Sequence, residues 1–222
     1  MRTHTKETQA TVTPAKAIQF LMEGNRRFQN NLKANRNLLQ QVNETSDGQF
    51  PFATILSCID SRVSAELVFD QGLGDIFSIR IAGNFANEDI LGSMEFASKV
   101  AGTKLILVLG HSHCGAIKGA CDDVKLGNLT TMLAKLKPAV EAVHLSGERS
   151  SKNADFVQAV ADKNIDLTIA NIRKNSPVLR EMEQNGEIAI VGGMYDIHTG
   201  EVIFHLNEEM TEKIDDLMAI AS

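Results

Sequence analysis

Two stretches of the sequence place side chains that bind metals directly after a mostly apolar run. Residues 105–109 are apolar and lead into His111 and Cys114, which lie three positions apart. Residues 53–57 lead in the same way into Cys58. Thiolate and imidazole are ligands that zinc favours, and three protein ligands leave the fourth position open, as in catalytic zinc sites. The residue types therefore predict a Zn²⁺ ion held by Cys58, His111 and Cys114.

Asp60 and Arg62 follow Cys58 at alternating positions. In an extended segment such positions face the same side, so the three side chains are expected to share one pocket. A carboxylate beside zinc either accepts a hydrogen bond from water on the metal or ligates the metal itself, and the sequence leaves both roles open for Asp60. An arginine paired with that carboxylate fixes its orientation and keeps it ionised. We therefore predict that Asp60 and Arg62 are catalytic residues.

The elements around these motifs alternate between strand and helix patterns. Such alternation predicts an α/β fold with a mostly parallel central sheet of four strands and an antiparallel edge strand, flanked by helices. Because parallel strands end at one edge of a sheet, the two metal-binding stretches should meet there. The predicted strands are 52–57, 75–81, 104–109 and 188–191, followed by a hairpin of 195–198 with 201–205.

Helical periodicity and capping residues mark the other elements. Residues 1–12, rich in threonine and charge, are predicted to be frayed, and residues 13–48 form an N-terminal helical arm whose helix runs from Thr13 to about Asn30. We find no linker or repeat, so residues 1–222 are predicted to form a single domain. The other predicted helices are 87–101, 115–125, 130–144, 154–174, 177–184 and 207–220.

Composition narrows the classes of function. The chain has 43% hydrophobic and 23% charged residues, as in ordinary globular proteins. Its formal net charge of -6 argues against nucleic acid as a partner. We see no apolar run long enough to span a membrane and no secretory signal. With only three cysteines a disulfide framework is not expected, and we predict a cytoplasmic protein.

The paired motifs carry a family resemblance. Cys58-Ile-Asp60-Ser-Arg62 and, far downstream, His111-Ser-His-Cys114 resemble the β-class carbonic anhydrases. This resemblance implies reversible hydration of carbon dioxide to bicarbonate and a proton by zinc-bound hydroxide. It also implies a homodimer or higher homo-oligomer. The substrate-binding residues that it implies are Gln49, Phe77 and Phe96.

Other functions are compatible with the same motifs. Carbon disulfide and carbonyl sulfide hydrolases resemble the same family and share its zinc motifs. A non-catalytic zinc-binding module is a further alternative, although it would need neither Asp60, Arg62 nor Gln49. A cysteine nucleophile at Cys58 ranks lower, because the longer Cys-to-Arg loop of phosphatases is absent. His113, between two of the ligands, is expected to point away from the metal.

Overall fold

A five-stranded sheet forms the centre of the computed structural model, which describes residues 3–221 and the side chains of residues 3–219. The strand order is β2-β1-β3-β4-β5, with β1 to β4 parallel and β5 antiparallel to β4. The predicted sheet is therefore confirmed. The strands are β1 Ala53–Ser57, β2 Ile76–Arg80, β3 Leu105–His111, β4 Ala189–Tyr195 and β5 Val202–His205.

Helices cover both faces of this sheet. Most begin at a residue whose side chain accepts a hydrogen bond from a backbone N–H of the first turn, such as Thr13, Asn87 and Asn153. Their bounds are α1 Lys6–Ala10, α2 Pro14–Gln29, α3 Leu38–Glu44, α4 Ala65–Val68, α5 Glu88–Glu95, α6 Gly115–Cys121, α7 Gly127–Ala134, α8 Lys137–Ala142, α9 Ala154–Asn175, α10 Pro177–Gln184 and α11 Glu208–Ala221. None of the described helices is long and apolar enough to cross a membrane.

The core lies in two layers, one on each face of the sheet. Alternate residues of β3 enter different layers: Leu107 packs with α2, whereas Val108 packs with α9. Strands β1 and β3 are buried on both faces, which explains why they read as continuous apolar runs. These two central strands carry the candidate metal ligands at their carboxyl ends.

The structure differs from several sequence predictions in detail. The predicted fourth strand and the first strand of the predicted hairpin are one continuous strand, β4. The helix predicted over 130–144 is two helices, α7 and α8, with Pro138 in the first turn of the second. The helix predicted over 87–101 changes to π-helical winding over Phe96–Val100. Within 3–12, where fraying was predicted, α1 forms and is capped by Thr5; residues 1 and 2 lie outside the described part.

The N-terminal segment divides into two parts. Helix α2 buries Ile18 and Leu21 in the core of its own chain. The following segment is fixed by an ion pair between Arg36 and Asp70, 2.6 Å apart. Several apolar side chains of this second part are nevertheless exposed, namely Leu32, Leu38, Leu39 and Val42.

Helix α2 approaches the backbone of the segment after α4 closely. A Cβ at Gly24 would lie 1.8 Å from the carbonyl oxygen of Phe69, and a backbone atom cannot rotate away as a side chain can. We expect Gly24→Ala to lower the free energy of unfolding by at least about 2 kcal/mol. Urea denaturation followed by circular dichroism measures this difference.

Gly48→Ala is the matched control. A Cβ there makes only ordinary contacts of 3.6 Å with Phe50, so the free energy of unfolding should change by less than about 1 kcal/mol. Equal stability of the two variants would contradict the role of Gly24 as the contact point of α2.

Candidate metal centre

Cys58, His111 and Cys114 form a compact buried cluster. Their ligand atoms all lie within 4.8 Å of one another, and the two sulfur atoms are 4.0 Å apart. All three residues are at most 4% exposed. The structure therefore brings together, from two remote segments, the three side chains that the sequence predicts to bind the metal.

The sheet register explains this meeting. Ser57 pairs with Leu109, so Cys58, directly after β1, and His111, at the end of β3, lie at the same edge of the sheet. The chain then turns through His113, whose φ of 56° is left-handed, and Cys114 lies immediately before α6. The turn brings Cys114 back to the sulfur of Cys58.

The imidazole of His111 is oriented as a ligand. Its Nδ1 lies 2.9 Å from the carbonyl oxygen of Ser112, which can only accept, so Nδ1 carries the proton. Nε2 is then an unprotonated acceptor, and it is buried without a hydrogen-bond partner. A buried nitrogen lone pair left without a partner beside two thiols fits a bound divalent ion.

The pKa values of the two thiols are shifted in opposite directions. The pKa of Cys58 is lowered, chiefly because the Cys114 thiol donates to its sulfur. The backbone N–H of Gly83 also donates to this sulfur, at 3.5 Å. The pKa of Cys114 is raised by that same contact with Cys58 and by burial. The cluster thus favours a thiolate, the form of cysteine that binds zinc.

Asp60 and Arg62 form a bidentate ion pair beside this cluster. Nε and Nη2 of Arg62 donate to the two carboxylate oxygens at 2.9 and 2.7 Å, and the Arg62 N–H adds a third bond at 3.0 Å. These bonds hold the pKa of Asp60 well below its usual range. Asp60 is therefore an ionised acceptor with a fixed orientation.

Arg80 is a positioning residue for the segment that follows β1. Its Nη2 donates to the carbonyl oxygen of Asp60 at 2.7 Å, and its Nε donates to that of Cys58 at 3.2 Å. It thereby holds the backbone that carries a ligand and the carboxylate. Its place at the end of β2, opposite Ser57, was the available signal, because that register position adjoins the segment after β1.

The three residues proposed to bind substrate lie away from the metal cluster of their own chain. Phe77 pairs with Thr54, four residues before Cys58, which corresponds to about 13 Å along the strand. Phe96 packs beside Phe77, with ring centroids 6.3 Å apart, and is 54% exposed. Gln49 is exposed and precedes β1, at the end opposite Cys58. Their role in substrate binding therefore stays a prediction.

Comparison with known proteins agrees with this geometry. A family model described as carbonic anhydrase matches residues 53–202, which span strands β1 to β4 and both candidate ligand segments. The chain belongs to the β-carbonic anhydrase family. Its sequence is 34% identical over 198 residues to carbonic anhydrase 2 of Mycobacterium tuberculosis, covering 86% of this chain and 92% of that one.

Solved β-carbonic anhydrases share the fold. The structure of the β-carbonic anhydrase CcaA matches with a TM-score of 0.65 and 28% identity, over 85% of this chain and 87% of that one. One of two tetrameric β-carbonic anhydrases from Sordaria macrospora matches with a TM-score of 0.62 and 23% identity, over 74% of this chain and 89% of that one. The resemblance in the two motifs thus extends to most of the chain.

Proposed function

We propose that this protein catalyses the reversible hydration of carbon dioxide to bicarbonate and a proton, with zinc bound by Cys58, His111 and Cys114. The observation that carries the proposal is the buried cluster of two sulfurs and an unpartnered imidazole nitrogen beside an ionised carboxylate. Membership of the β-carbonic anhydrase family supports the same reaction.

The donor set favours zinc over harder ions. Two sulfurs and one nitrogen suit a tetrahedral, borderline-soft ion, whereas magnesium and calcium prefer oxygen ligands. When bound, zinc supplies a Lewis acid that lowers the pKa of water to about 7. A set of three protein ligands leaves one position for that water.

Asp60 orients the reacting water. Its carboxylate is ionised and therefore accepts a hydrogen bond from the water without donating one, which directs a lone pair of the water oxygen toward the carbon of CO₂. Arg62 holds both carboxylate oxygens and keeps Asp60 from rotating. The oxygen–carbon bond forms bicarbonate, and one proton is released to solvent.

Stopped-flow measurement of CO₂ hydration on protein with quantified zinc tests this proposal. We expect turnover far above the uncatalysed rate in samples that hold one zinc per chain. The same samples assayed with carbon disulfide and carbonyl sulfide address the alternative hydrolase. Faster turnover of either sulfur compound would overturn the assignment, and inactivity toward all three would favour a non-catalytic zinc module.

We further propose that the protein is a homo-oligomer in which Gln49, Phe77 and Phe96 contribute to the substrate cleft of a neighbouring subunit. These residues lie away from the cluster of their own chain, yet the family resemblance assigns them to the cleft. Phe77 and Phe96 line an open groove between β2 and α5, where β2 is an edge of the sheet. The tetrameric relatives support an assembly of identical chains.

Phe96→Asp should dissociate this assembly. A charge on the exposed groove disfavours a buried interface, so we expect light scattering to shift from a multiple of 24.2 kDa toward 24.2 kDa. Leu126→Asp is the control, because Leu126 is an exposed apolar residue in the segment before α7, outside that groove. An unchanged mass for Phe96→Asp would refute the proposed interface.

We also propose a cytoplasmic location. None of the three cysteines, Cys58, Cys114 and Cys121, forms a disulfide. A reducing compartment keeps the cysteines of a thiolate metal centre from being oxidised to disulfides. Fractionation of cells with detection by antibody tests this assignment.

A further inference from the structure

Two histidines from different segments meet on the surface beside the metal centre. Nε2 of His113 and Nε2 of His198 are 3.1 Å apart, and the two rings are nearly perpendicular with centroids 5.0 Å apart. Both side chains are exposed, whereas the ligands Cys58, His111 and Cys114 are buried. The pair is therefore separate from the cluster described above.

We propose that His113 and His198 form a second binding site for a divalent transition-metal ion. Two nitrogens that each lie about 2.0–2.1 Å from one ion are about 3.3 Å apart at a tetrahedral angle and about 2.9 Å apart at a right angle. The observed separation of 3.1 Å lies between these values.

Hydrogen bonds fix the two segments that carry these histidines relative to each other before any ion binds. Ser112 ties the two segments together, because its N–H donates to the carbonyl oxygen of Tyr195 and its hydroxyl accepts from the N–H of Ile197. On the other side, the N–H of His198 donates to the carboxylate of Asp196 at 2.7 Å. A preorganised pair binds an ion without the entropic cost of collecting its ligands.

The chemistry of the pair restricts the ion that it takes. Imidazole suits zinc, nickel and copper, whereas magnesium and calcium prefer oxygen. A cavity of about 210 Å³ is lined by His113, Lys118, Asp155 and Gln158. This space admits the waters or solutes that complete the coordination of an ion held by only two protein ligands.

Calorimetric titration of the untagged zinc-loaded protein with Ni²⁺ tests the site. We expect one equivalent of nickel per chain, no corresponding heat with Mg²⁺, and no loss of the buried zinc. His198→Ala should lose this equivalent while retaining its zinc. His144→Ala, which removes an exposed histidine elsewhere, should keep it.

Crystals soaked in Ni²⁺ provide a second measurement. We expect anomalous scattering between the rings of His113 and His198. The proposal fails if the wild-type protein takes up no nickel, if His198→Ala binds it equally, if His144→Ala loses it equally, or if uptake is matched by release of zinc. These readouts do not depend on the proposed hydration of CO₂, because none of them measures turnover.

Discussion

Cys58→Ser should yield a protein that contains almost no zinc and hydrates CO₂ no faster than buffer. A serine hydroxyl is not ionised at neutral pH and is a poor zinc ligand, so the ion would keep only His111 and Cys114, which occupy one short segment. Cys58 is also the one candidate ligand that follows β1. Elemental analysis and stopped-flow assay of the same sample measure both effects.

Cys121→Ser is the matched control for this variant. Cys121 is a half-buried free thiol at the end of α6, outside the cluster. Its replacement should leave zinc content and turnover unchanged. If Cys58→Ser retained one zinc per chain and full activity, the assignment of the metal centre would be wrong.

Asp60→Asn should keep the zinc and lose most of the activity. The asparagine has nearly the same shape, but it is neutral, and its amide group donates where the carboxylate accepts. Arg62 loses its bidentate carboxylate partner, and the water loses the carboxylate acceptor that directs it. We expect kcat to fall by about 10- to 100-fold, the usual cost of removing a residue that orients a metal site.

Asp123→Asn removes the same charge from a comparable ion pair elsewhere. Asp123 contacts Lys125 and Lys137 at 2.8 and 2.5 Å and is exposed. This variant should retain the wild-type kcat. Loss of zinc from Asp60→Asn would instead indicate that the carboxylate ligates the metal, the other role that the sequence left open.

The sequence predicts the sheet well because its strands are strongly apolar and end at recognisable residues. The sequence pattern predicts two strands where the structure has the single strand β4, because Gly192 and Gly193 resemble a turn between strands. In the structure, a Cβ at Gly192 would lie 2.6 Å from Ile165 of α9, so this glycine allows a helix to pack closely on a continuous strand. Local pattern cannot distinguish that long-range contact from a turn.

The candidate site is likewise predictable from the sequence only in part. Residue type and spacing indicate the chemistry of Cys58, Asp60, Arg62, His111 and Cys114. The parallel register of β1 and β3 then predicts that the three metal ligands meet. The support given by Arg80 and the pairing of His113 with His198 depend on contacts between segments 20 and 85 residues apart. Such contacts leave no periodic trace in a single sequence.

The parallel pairing of β1 with β3 has a consequence for how the protein acquires its metal. One ligand follows β1, and the other two are the last residue of β3 and a residue shortly after it, so an unfolded chain offers at most the His111–Cys114 segment to the ion. High affinity therefore arises only once the centre of the sheet has assembled, and the free energy of metal binding adds to that of folding. A cell short of zinc would accordingly hold less of the native protein as well as less of the active one.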